Sequence, residues 1–229
     1  MKTVGIIGGL GPETTSEFYL DIIFSCQERD NTNRPSIIIS NVPLSYKVEQ
    51  EAILYNKGVE RFLPLLTNEA KRLEKAGADF IVMPCNSLHM FIKELRESVN
   101  IPVLSIIEET VNYVKRKKID KIGVIATAMT VKYKLYENEF QANNILYATP
   151  KQKKQSELDK IILNIVNGNK LKSDYDKLIK IIEDFESENV NGIILACTDL
   201  QLLKPNYPGL NIFDTMKIFA DATVENIFK

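Results

Sequence analysis

The sequence predicts an α/β chain built as two parallel-sheet lobes, on three observations. Short apolar runs alternate with amphipathic stretches along all 229 residues, the pattern of βαβ units whose sheets are covered on both faces. The pattern restarts: Lys2-Thr3-Val4-Gly5-Ile6-Ile7 is echoed by Lys121-Ile122-Gly123-Val124-Ile125. Each half also carries an apolar run that ends in cysteine, Phe80-Ile81-Val82-Met83-Pro84-Cys85-Asn86-Ser87 and Ile193-Ile194-Leu195-Ala196-Cys197-Thr198-Asp199. From Gly5 to Cys85 is 80 residues and from Gly123 to Cys197 is 74. Ile/Val-rich runs alone say little, because any buried parallel strand has them. A cysteine with polar neighbours at the same point of both halves points to an internal duplication and a pseudo-symmetric pair of lobes.

The elements follow in order. Val4–Ile7 is a strand that enters a glycine turn, and a helix starts near Pro12, a residue tolerated in the first turn. Phe18, Ile22 and Cys26 recur at four-residue spacing as its buried stripe. Ser36–Ser40 is a second strand. The loop after it, Asn41 to Glu51, contains Lys47. Glu60–Ala76 is helical and Gly77 stops it. Phe80–Met83 is a strand, Ser87–Val99 a helix and Pro102–Ser105 a short strand. In the second half Lys121–Ala126 is a strand, Val131–Asn143 a helix and Leu146–Tyr147 a weak strand. Glu157–Val166 and Asp174–Glu188 are helices, Gly192–Ala196 and Leu210–Phe213 strands, and Asp214 caps a last helix through Phe228.

Composition narrows the function. Lys+Arg 29 against Asp+Glu 30 gives a net charge of −1, without the basic footprint of a dedicated nucleic-acid binder. No apolar run reaches the ~20 residues of a membrane span, and the N-terminus lacks a signal-peptide stretch, so a cytoplasmic protein is expected. Three cysteines suit a reducing compartment better than a disulfide framework. With one histidine they offer no structural zinc site.

Cys85 and Cys197 carry the candidate chemistry. Ligands of open α/β sheets bind outside the carboxyl ends of the strands, which is where both fall. Each precedes residues able to start a helix, whose free N–H groups stabilise a thiolate and bind carboxylates. Asn86, Ser87 and Thr198 add hydrogen-bonding side chains there. A structural cysteine would more often lie inside the strand, as Cys26 lies inside a helical stripe. Two lobes facing each other would set one thiol on each side of a cleft holding a small anion. His89, one turn past Cys85, either tunes that thiol or has a capping or structural role.

The turn Gly8-Gly9-Leu10-Gly11-Pro12 invites a dinucleotide reading, but Thr14 stands where the third glycine belongs and the second strand ends Ser40-Asn41, without an acid for a ribose hydroxyl. Close approach of the backbone to a small ligand is the better reading. The basic runs Lys115–Lys118 and Lys151–Lys154 read as solvated surface, the second as a connector at the mouth of the cleft.

Taken together these residues resemble the aspartate/glutamate racemase family in its cofactor-independent branch, almost end to end. The resemblance rests on Gly8-Gly9-Leu10-Gly11-Pro12 with Thr15, on Met83-Pro84-Cys85-Asn86-Ser87-Leu88-His89, on Ile106–Thr110, on Ala126-Thr127 with Thr130, and on Ala196-Cys197-Thr198-Asp199-Leu200. It implies two flavodoxin-like, Rossmann-like lobes related by a pseudo-twofold axis, with the active site in the interlobe cleft. It implies an N-terminal lobe of 1–106 plus 208–229, a C-terminal lobe of 107–207, and a homodimer. It implies racemisation of an amino acid, aspartate first and glutamate next, without a cofactor or metal: one thiol as thiolate base and the other as acid on opposite faces of the α-carbon. The implied substrate-binding residues are Gly11, Thr15, Lys47, Asn86, Ser87, Thr127, Thr198 and Asp199.

Three departures from the family pattern stand out. Ser87 replaces threonine and Asp199 replaces glutamate. Lys47 stands where aspartate-specific members have arginine, and Ile165-Val166-Asn167-Gly168 lacks the lysine they add. Lysine lacks the bidentate fork that arginine offers a carboxylate. A cis–trans isomerase of the maleate type, with one nucleophilic cysteine, and a non-catalytic small-acid binder are the alternative readings.

Overall fold

A computed structural model describes residues 1–229. The first half runs β1 (Val4–Gly8), α1 (Pro12–Arg29), β2 (Ile37–Asn41), α2 (Tyr46–Tyr55), α3 (Phe62–Lys75), β3 (Phe80–Val82), α4 (Ile92–Ser98) and α5 (Ile106–Arg116). The second runs β4 (Lys121–Ala126), α6 (Ala128–Lys132), α7 (Leu135–Ala142), β5 (Leu146–Ala148), α8 (Gln152–Val166), α9 (Lys172–Glu183), β6 (Ile193–Ala196), β7 (Ile212–Asp214) and α10 (Thr215–Ile227). The strands form two parallel sheets, ordered β2-β1-β3 and β5-β4-β6-β7. The expected fold class of two flavodoxin-like lobes stands. No helix is long and apolar enough to cross a membrane.

The duplication is visible in the pairing. β1 lies between β2 and β3 as β4 lies between β5 and β6. Where β7 continues the second sheet, the first sheet has a single bridge, Ile81 to Val103. The strand expected at Pro102–Ser105 therefore shrinks to one residue pair. Proline has no N–H for a ladder, and Ser105 turns out at once to cap α5, its Oγ accepting from Glu108 N at 3.3 Å. Asp214 caps α10 as expected, its Oδ1 accepting from Met216 N at 2.7 Å and Lys217 N at 3.2 Å.

The helices after these last strands cross over. α5 leaves the first sheet and packs on α7 of the second lobe; α10 leaves the second sheet and packs on α1 of the first; the two crossing helices pack on each other. The last strand and helix were both expected in the N-terminal lobe. Only α10 lies there, since β7 is hydrogen-bonded to β6. This exchange joins the lobes through one core, in which Val4, Ile6, Phe18 and Val82 of the first meet Val124, Phe140 and Ile194 of the second, together with Phe219 of α10. Cys26 is fully buried in that core, as its helical spacing predicted. A second cluster covers the other face of the first sheet, and a third covers the other face of the second.

Several expectations change. Ser87–Val99 opens as a 3-10 helix, Ser87–Phe91, before α4, and Asp174–Glu188 closes as one, Asp184–Glu188, after α9. The stretch Val131–Asn143 divides at Lys134, which takes a left-handed conformation (φ 53°) between α6 and α7. It starts earlier than predicted because the Thr127 side chain caps it, accepting from Thr130 N at 3.1 Å. Lys151–Lys154 is no connector: Lys151 precedes α8, Lys154 lies in its first turn, and Lys154 pairs with Glu157 and Asp184.

Candidate active site

The ends of β1, β3, β4 and β6 deliver Leu10, Cys85, Thr127 and Cys197 to one cavity between the lobes, with about 60 Å³ open to water, room for a few water molecules. Both candidate thiols line it. Around them stand Asn86, Ser87, Thr198 and Asp199, with Glu49, and apolar walls that include Leu44, Phe62, Met129 and Ile162. Neither lysine nor arginine lines it.

The first cysteine loop is held by His89. Its Nε2 accepts from Ile106 N at 3.1 Å, so its proton sits on Nδ1, which donates to the Cys85 carbonyl at 2.7 Å. Burial pushes the imidazole down to about 4 and keeps it neutral, against the opposing pull of the backbone of Cys85 and Leu104. His89 thus ties the thiol-bearing loop to the first turn of α5 through backbone groups. It does not line the cavity.

Asn86 ties the lobes together. Its Nδ2 donates to Thr215 Oγ1 at 3.1 Å, and its Oδ1 accepts from Tyr136 OH at 2.6 Å. Both partners come from the second half of the chain, and neither is singled out by sequence spacing. Ser87 joins a hydroxyl cluster, 2.8 Å from Thr127 Oγ1 and 3.0 Å from Thr130 Oγ1. A dipole cluster of this kind suits an anionic group.

The glycine turn serves the protein before any ligand. Gly9 has φ +81°, and a Cβ there would stand 2.4 Å from Asn41 Oδ1. Thr15 Oγ1 donates to the Gly11 carbonyl at 2.9 Å and accepts from Gly9 N at 3.0 Å. Thr15, expected to bind substrate, instead braces this loop and does not line the cavity. Gly11 lies where the loop passes Asp199: a Cβ would come 3.0 Å from Asp199 Oδ1.

Lys47 is not part of the cavity. The expected loop is the helix α2, and Lys47 is exposed on it. Glu49, Ala52 and Ile53 share the inward face at helical spacing and line the cavity. A residue two positions away points about 200° round the helix, so Glu49 enters where Lys47 cannot. Reading Tyr46–Tyr55 as a helix would have found it. α2 packs on α8, and Gln50 Nε2 reaches Asn167 Oδ1 at 3.4 Å from the far lobe.

Burial dominates the electrostatics. The Cys85 thiol is pushed up to about 12, mainly by desolvation; the Leu88 and Ser87 N–H groups pull it down, while Asp199 and Glu49 raise it further. Cys197 is held well above the ordinary thiol range by burial and then by Asp199, whose Oδ2 lies 3.8 Å from its Sγ. Asp199 is itself raised to about 7 by burial and then by the negative charge of Glu49. With no ligand the site therefore holds two neutral thiols beside carboxyl groups that lack a cation.

The family model described as Asp/Glu/Hydantoin racemase matches residues 7–223. The broad specificity amino-acid racemase RacX of Bacillus subtilis is 26% identical over 226 residues, 96% of each chain. An aspartate racemase homologue from Pyrococcus horikoshii, whose crystal structure is known, superposes with a TM-score of 0.80 at 28% identity over 100% of both chains. The Picrophilus torridus aspartate racemase has the same fold, with a TM-score of 0.82 at 23% identity over 100% of this chain and 95% of that one.

Proposed function

The chain belongs to the Asp/Glu/Hydantoin racemase family, and from that premise we propose that it is an amino-acid racemase using Cys85 and Cys197 as its two acid–base groups. The observation that carries the reading is the convergence of both thiols, one from each lobe, on a single interlobe cavity. Inversion at an α-carbon removes a proton from one face and returns one to the other. A thiolate on one side takes the α-proton and becomes a thiol; the thiol opposite gives its proton and becomes the thiolate. Protons balance over the turnover, and the roles reverse for the other enantiomer.

The resting site is set against ionisation, so substrate must change it. An α-ammonium bound between the sulfurs supplies the missing positive charge and favours thiolate. Asp199, raised toward neutrality and beside Cys197, is placed to receive that thiol's proton. The hydroxyls of Ser87 and Thr127, held by Thr130 behind them, and of Thr198 are the groups available to the α-carboxylate, where charge spreads in the carbanionic state. This chemistry needs neither a Schiff-base lysine nor a metal.

The test is to incubate reduced protein with single L-amino acids, aspartate and glutamate included, in deuterated water, and to follow D product and α-deuterium by chiral chromatography with mass detection. Cys85→Ser and Cys197→Ser should each lower turnover by about a hundredfold or more, while Cys26→Ala retains it. Full activity in either serine variant defeats the two-base reading, and dependence on one cysteine alone returns the maleate-type isomerase. A homodimer belongs to the same reading. Leu20 and Phe24, exposed one turn apart on α1, support it, and sedimentation of the purified chain decides it.

A further inference from the structure

The resemblance points to a dicarboxylic substrate, and the cavity argues otherwise. Every charged side chain lining it is acidic: Glu49 from α2 and Asp199 from the end of β6. The only lysine expected there, Lys47, faces solvent on the opposite side of α2. Lys170 is held in an ion pair by Glu13 across the lobes and does not line the cavity. Aspartate or glutamate would bring two carboxylates and one ammonium into a space that already holds two acids and must hold a thiolate. Its side-chain carboxylate would have no counter-charge, and a buried unpaired charge is strongly disfavoured.

The remaining lining fits an aliphatic stem. Leu10, Leu44, Ala52, Ile53, Phe62 and Val166 give the cavity apolar walls, and Glu49 stands among them on the same helical face as Ala52 and Ile53. Methylenes against apolar walls with a charged tip on a carboxylate is how a basic side chain is accommodated in a protein. Compared with aspartate, such a substrate lowers the negative imbalance of the occupied site by two charges.

Resting on the racemase reading, we propose that the substrate class is α-amino acids whose aliphatic side chain ends in a cation, with Glu49 as the specificity-determining residue that receives that cation. In this arrangement the α-ammonium and α-carboxylate stay between the sulfurs near Asp199 and the Ser87 and Thr127 hydroxyls, and the side chain extends toward α2.

The experiment measures α-deuterium incorporation for L-ornithine, L-lysine, the neutral analogue L-norleucine and L-aspartate, in the wild type and in Glu49→Gln. The expected result is that ornithine or lysine exceeds both norleucine and aspartate in kcat/KM. Glu49→Gln should then reduce the preference for the cationic substrate over norleucine by about tenfold or more, the loss of one charge-assisted hydrogen bond. Glu49→Asp should restore part of that preference, which a merely structural role of Glu49 would not produce. Aspartate or norleucine as the best substrate, or a preference unchanged in Glu49→Gln, overturns the assignment of class while leaving the racemase reading in place. Absence of exchange with all four, and with a wider amino-acid panel, overturns the racemase reading itself.

Discussion

Replacing Cys26 and Cys197 by alanine leaves Cys85 as the single thiol and makes its ionisation measurable. Burial and the charges of Asp199 and Glu49 hold that thiol at about 12, against an ordinary 9.0. At pH 8 the thiolate fraction is then about one in ten thousand, where an unshifted thiol has about one in ten. Only the thiolate attacks iodoacetamide, so alkylation at pH 8 should be slower than that of a free cysteine by about a thousandfold from ionisation alone. Limited access to the cavity adds to the slowing, and the pH profile separates the two effects. Followed by intact mass from pH 8 to 10, where Asp199 is ionised, the logarithm of the rate should climb with unit slope and never level. Adding Asp199→Asn removes a charge that raises the pKa, so the whole profile should move to lower pH. A plateau below pH 9 in the parent, or a shift to higher pH on adding Asp199→Asn, refutes the account of burial and carboxylates keeping this thiol neutral.

Three further outcomes follow from the same geometry. His89 is neutral because its folded value is depressed to about 4; the unfolded chain takes the proton first, so stability is complete above about pH 6.5 and falls by about 3 kcal/mol as pH drops toward 4. Urea midpoints of wild type and His89→Gln across that range should converge on acidification, and a difference that ignores pH would show that His89 is not the titrating group. Gly9→Ala combines φ +81° with a Cβ 2.4 Å from Asn41 Oδ1 and should destabilise by about 2 kcal/mol or more; an unchanged thermal midpoint contradicts the packing described. Lys47→Ala, exposed and outside the cavity, should leave the Michaelis constant of any substrate within about twofold, well under the 1.4 kcal/mol that a tenfold change represents; a larger rise would return Lys47 to the binding site.

The legible part of the site was the part written as local sequence. A cysteine and its polar followers at the end of an apolar strand announce themselves twice, and Cys85, Asn86, Ser87, Cys197, Thr198 and Asp199 all line the cavity. The residues missed are those brought in from elsewhere. Tyr136 and Thr215 reach Asn86 across 50 and 129 positions of chain, and no spacing rule spans that. Glu49 was hidden by treating a ten-residue helix as a loop. Thr15 was expected at the substrate because the family resemblance implies it; the folded loop uses that hydroxyl internally.

By itself the sequence determined the two-lobed α/β class, the duplication, the cap at Asp214 and the placement of the two thiols at strand ends. These follow from periodicity, capping chemistry and the direction of parallel strands, all of which act over a few residues. Tertiary structure alone decided that β7 stays in the second sheet while α10 crosses to the first lobe, that His89 serves the backbone of Cys85, and that the cavity is ringed by acids without a cation. Each depends on which surfaces meet once the lobes share a core, and on the turn of a helix that sends Glu49 inward and Lys47 out to water.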